Sequence, residues 1–234
     1  MQIGRRRNPP PEREDALTER KDSPLHRKKL SGKVLFLLLW AVVLLAVQLY
    51  QHWFESLHEW GIYPRTTEGL PGILLHPFIH GDWGHFLSNL PALIIAMGSV
   101  LLFYEKIALR ITLMVYLGTG VLVWLAARPS YHVGASGVIY GLVSFLFFSG
   151  IFRNDRRALA LSLLTIFLNQ GLVAGFVPVP GVSWESHLGG AIVGLIVAFF
   201  YRKKDANPEW EAPEEEEEDD DLTEDGPWNY RRHL

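Results

Sequence analysis

Residues 133–152 read Val-Gly-Ala-Ser-Gly-Val-Ile-Tyr-Gly-Leu-Val-Ser-Phe-Leu-Phe-Phe-Ser-Gly-Ile-Phe, an unbroken run without a charged side chain. A helix needs about 20 such residues to cross the hydrocarbon of a bilayer, whereas a buried strand ends after about eight. Apolar segments of comparable length recur over 34–50, 86–103, 107–127, 158–177 and 185–201. Because only helices and closed barrels satisfy their backbone in lipid, this pattern predicts an all-α, multi-pass membrane bundle of six transmembrane helices.

Charge placement supports the same reading. The 234-residue chain is 49% hydrophobic yet carries 22 Lys or Arg and 25 Asp or Glu. Ten of the basic residues lie within 5–33 and thirteen of the acidic ones within 205–225. The expected organisation is therefore a basic disordered arm over 1–30, a six-span core over 31–204 and an acidic disordered tail over 205–234. The basic stretch is too long for a usual signal peptide and no small-residue cleavage site follows, so the first span reads as an uncleaved anchor. Lys and Arg otherwise gather on one side, at 106, 110, 153, 156, 157, 202, 203 and 204, against only Arg65 and Arg128 on the other. The positive-inside rule then puts both termini in the cytoplasm, and the six-span, cysteine-free form points to a bacterial inner membrane. The absence of cysteine excludes disulfides and thiolate chemistry. Residues 51–84 interleave Trp53, Phe54, Trp60, Tyr63 and Trp83 with Pro64 and Pro71, the composition of an interfacial loop at headgroup level.

Polar side chains inside a membrane are costly and mark functional sites by default. Here they cluster at the outer ends of the spans: His76, His80, His85 and Asn89; Ser136 within Gly134-Ala135-Ser136-Gly137; and His187. Spans 2, 4 and 6 all begin outside, so the three groups lie at similar depth. A serine becomes a nucleophile beside a base, and a neutral imidazole is the usual one near pH 7. Gly137 and Gly141 on span 4, with Gly190 and Gly194 on span 6, form smooth faces that let the two helices approach closely. That approach brings His187 over Ser136, with Tyr140 one turn below available to stack on the imidazole. His85 and Asn89 share a helical face, and with the Ser136 N–H they outline an oxyanion hole.

Other chemistries fit less well. His58-Glu59 lacks the second histidine of a zinc-protease helix, and no pair of aspartates is available for an aspartyl mechanism. Pro77 lies between His76 and His80, which therefore read as hydrogen-bonding the entrance of span 2, with Asp82 capping the helix that starts near Trp83. Neither a metal, a cofactor nor a nucleic acid is expected. Glu185 is too close in sequence to His187, and on another face, to orient it.

Together, His76, His80, His85 and Asn89, the Gly-Ala-Ser-Gly at 134–137 with Tyr140, and His187 with Gly190 and Gly194 resemble the rhomboid family of intramembrane serine proteases. Tyr104-Glu105-Lys106 is similar to the family's inner loop, while the Trp-Arg dipeptide of many members is missing from the outer loop. The resemblance covers about residues 34–201. It implies a six-span bundle with a Ser136–His187 dyad that uses no acid. It also implies an oxyanion site from His85, Asn89 and the Ser136 amide, with Gly134 in support. The implied partners are the lipid bilayer and the transmembrane segments of other proteins, cleaved near the outer face. A non-catalytic rhomboid-like protein that binds membrane clients is the alternative. A transporter fits poorly, because no polar groups cross the midplane.

Overall fold

The computed structural model describes residues 24–154, 156–168, 174–179 and 181–203. Among these residues the chain is helical: α1 (Pro24–Trp53), α2 (Gly72–Leu75), α3 (Trp83–Phe103), α4 (Ala108–Ala126), α5 (Ser136–Arg153), α6 (Arg156–Leu168) and α7 (Trp184–Tyr201). An isolated antiparallel bridge joins Ile62 to His132. Helices α1, α3, α4, α5 and α7 are long and apolar enough to cross a membrane.

Two expectations change at this level. Helix α1 starts at Pro24, ahead of the expected apolar start at residue 34, because proline at a first helical position has its φ preset. The rest of the expected basic arm, and the acidic tail, lie outside the described residues. Of the expected fifth span, 158–177, the described residues up to Leu168 lie in α6, a length of about 20 Å, and 169–173 lie outside the described residues. A turn follows at 174–177, closed by the Val177 N–H donating to the Ala174 carbonyl. Gly175 and Pro178 there disfavour helix, and hydropathy averaged across the segment hides them.

Helix α5 is apolar on all sides, and every residue from Gly137 to Leu146 is buried, which makes it the central helix. Against it lies α7, backbone to backbone. A Cβ at Gly190 would stand 1.9 Å from the Gly137 carbonyl oxygen, and one at Gly194 would stand 2.1 Å from that of Gly141. Helix α1 is peripheral and turns Leu35, Leu38, Leu39 and Val42 outward. It is held by Leu44, by Trp40 stacked on Phe78, and by Lys33 paired with Glu105.

The connections at the end of the bundle where α5 and α7 begin are tied by main-chain groups. Asp82 Oδ1 accepts the His85 N–H at 2.8 Å and starts α3 as the sequence suggests. Arg65 donates to the carbonyls of Leu125 and Ala127, placing a cation at the negative end of α4. His76 and His80 reach further than the entrance of α3. The His76 carbonyl accepts the Gly134 N–H, and His80 Nε2 accepts the Ala135 N–H, so both hold the loop that leads into α5.

Two predictions follow from this packing and burial. Gly194→Ala must push α7 off α5 and should lower stability by about 1–3 kcal/mol. Gly98→Ala, whose Cβ would meet only Leu37 at 3.5 Å, should leave it within about 0.5 kcal/mol. Unfolding titrations in detergent micelles compare the two. Burial pushes His76 down to about 4 and His80 to about 3 in the folded protein, from an ordinary 6.5. The unfolded chain therefore binds more protons as pH falls, and this share of stability, complete above pH 6.5, is lost progressively below it. Thermal unfolding followed from about pH 8 to about pH 4 should show a falling Tm, and a level curve contradicts the assignment.

Candidate active site

Ser136 is the first residue of α5 and His187 lies in the first turn of α7. Both helices start at the same end of the bundle, and the glycine contacts set their spacing there. His187 Nε2 stands 2.9 Å from Ser136 Oγ, and His187 Nδ1 stands 2.7 Å from the Gly175 carbonyl oxygen. A carbonyl can only accept, so Nδ1 carries the proton and donates to Gly175. In the neutral ring Nε2 is then a bare lone pair facing the Ser136 hydroxyl, the tautomer that can take the serine proton.

The imidazole is clamped on its face as well as at its edge. The Tyr140 ring lies 4.2 Å from it and 8° from parallel, with Phe176 packed edge-on against Tyr140. Gly175 has no room for a side chain, since a Cβ would come within 2.0 Å of the Tyr140 hydroxyl and 2.7 Å of His187 Nδ1. Glu185 turns to Arg128 at 3.5 Å.

The expected oxyanion groups are only partly brought together. Ser136, at a helix start, presents a backbone N–H of the kind left without an intrahelical acceptor. The His85 ring lies against Gly134, whose φ of +107° and lack of a Cβ make room for it; a Cβ would stand 2.6 Å from that ring. Asn89 is buried, and one of its amide hydrogens is donated to the His85 carbonyl at 2.9 Å, within its own helix.

A polar cavity of about 300 Å³ opens beside His80, lined by Gln48, Gln51, His52 and Asp82. An apolar one of about 250 Å³ lies behind Tyr140, against Phe147, Ile166 and Phe176. Among the described residues no three His, Asp or Glu side chains converge as metal ligands.

Sequence reasoning singled out neither Gly175 nor His132. The Gly175 carbonyl carries no side-chain signature. Buried His132, four residues before Ser136, was legible as a histidine beside the motif, but nothing in the sequence gave it a partner.

A rhomboid-domain family model matches residues 67–204, more than half of the chain. An uncharacterised protein of Mycobacterium leprae is 33% identical over 175 residues, 70% of this chain and 68% of its own. One of Mycobacterium tuberculosis is 32% identical over 150 residues, 59% of this chain and 62% of its own, so this chain spans under two thirds of that relative. Rhomboid protease GlpG of Pectobacterium atrosepticum is 28% identical over 172 residues, 66% and 58% respectively. With its apolar spanning helices and its match across the core, the chain is an integral membrane protein that belongs to the rhomboid family.

Proposed function

We propose that this protein is an intramembrane serine endopeptidase that cleaves transmembrane segments of other membrane proteins near the outer face of the bilayer. The observation that carries the reading is the line from the Gly175 carbonyl through His187 to Ser136, with a single tautomer poised for proton transfer.

Ser136 Oγ attacks the scissile carbonyl carbon while its proton passes to His187 Nε2. Charge that develops on the carbonyl oxygen meets the Ser136 N–H, with His85 and Asn89 as further donors. His187 returns the proton to the leaving amine, and an acyl group stays on Ser136. Water, deprotonated by the same nitrogen, releases that acyl group and restores the serine. These steps use side chains and a backbone amide, and call for no metal or cofactor.

Substrates are expected to carry helix-breaking or small residues at the cut, because a helical peptide bond is hydrogen-bonded and shielded. The mycobacterial relatives support a bacterial inner membrane, and the Lys and Arg distribution supports both termini in the cytoplasm, which puts the dyad on the external side.

Purified wild-type protein in liposomes should cleave a generic transmembrane substrate, and Ser136→Ala and His187→Ala should each lower the rate by at least about 10³-fold with folding intact. No cleavage of several substrates by wild type shifts the reading to a client-binding rhomboid-like protein. Equal rates in wild type and variants remove the dyad.

A further inference from the structure

We propose that His132 is a positioning residue of the dyad: through Ser183 and Ser186 it holds the first turn of α7, and so sets where His187 meets Ser136. The inference rests on the protease reading above and adds a residue to it.

The direction of every bond in this relay follows from one acceptor. His132 Nε2 lies 3.1 Å from the Arg128 carbonyl, so Nε2 carries the ring proton and Nδ1 is bare. Ser183 Oγ, 2.5 Å from Nδ1, must then donate to it. With its hydrogen committed, Ser183 Oγ accepts from Ser186 Oγ, also at 2.5 Å. Ser183 stands at the N-cap of α7, where a serine hydroxyl ordinarily accepts a helix N–H; here it makes no such cap and turns to His132. Its main-chain carbonyl meanwhile accepts the N–H groups of Ser186 and His187 at 3.0 and 3.3 Å. Ser183 thus grips the turn that carries His187 from two sides.

Both ends of the relay are anchored by hydrogen bonds or close packing. The His132 main chain pairs in both directions with Ile62, at 3.0 and 2.9 Å, and both residues are almost fully buried. At the other end Ser186 packs on Gly137, next to Ser136: a Cβ on Gly137 would touch the Ser186 carbonyl at 3.0 Å. Around His132 the charged groups are Arg128 and Glu185, which pair with each other at 3.5 Å. Burial holds the His132 pKa below the ordinary imidazole value, which keeps Nδ1 an acceptor.

The test uses the full chain in detergent, a fluorophosphonate probe that reacts with an activated serine, and Tm measured alongside. Asparagine puts an amide oxygen where Nδ1 stands and keeps the bond from Ser183. Glutamine puts its amide where Nε2 stands and loses that bond. His132→Gln should slow labelling of Ser136 by about 10–100-fold, while His132→Asn stays within a few-fold of wild type at a comparable Tm. Asn and Gln variants that slow alike, or only in step with Tm, make His132 merely structural and overturn the inference while the protease reading stands. Unlabelled wild type overturns both.

Discussion

Contact between two backbones, α5 against α7 through Gly137, Gly141, Gly190 and Gly194, is the constraint on which the other geometry rests. In lipid no hydrophobic force draws helices together, so close van der Waals approach has to supply the association. Any side chain at Gly190 or Gly194 would collide with a carbonyl of α5. That approach sets the spacing of the helix starts, and the starts carry Ser136 and His187. The distance of 2.9 Å between Oγ and Nε2 is therefore a consequence of packing along much of both helices, not of the two side chains alone.

Legibility followed the range of each interaction. The spans were readable because hydrocarbon imposes a length and a composition on every residue that crosses it, and among the described residues five of the expected segments are long apolar helices. Ser136, His187 and Tyr140 were readable as a group because polar side chains are rare in such a chain and the topology sets them at one end. The turn at 174–177 was hidden because a hydropathy average does not register one glycine and one proline. The Gly175 carbonyl was invisible in principle, since every residue has a carbonyl and only the tertiary structure selects one. His132 fell between these cases: visible as a residue, but without a partner until Ser183 was brought beside it.

The partner of the imidazole has energetic consequences. A carboxylate behind a histidine stabilises the imidazolium that forms in the transition state, and a carbonyl offers only its dipole. A carboxylate near the membrane would, however, need its own compensation, because a buried charge without a partner is costly. Glu185, the nearest acid in sequence, is engaged with Arg128 at the edge of the bundle. The main-chain oxygen orients the ring without adding a charge.

That choice also bears on how the site tolerates change over generations. An acceptor supplied by a side chain disappears with one codon, whereas the oxygen of residue 175 belongs to the chain itself and survives every substitution there. What mutation can do at this position is displace it, since any Cβ would run into Tyr140 and the imidazole. The orientation of His187 is thus protected against chemical deletion and exposed to steric intrusion, so inherited variation at Gly175 is constrained by volume and not by functional group.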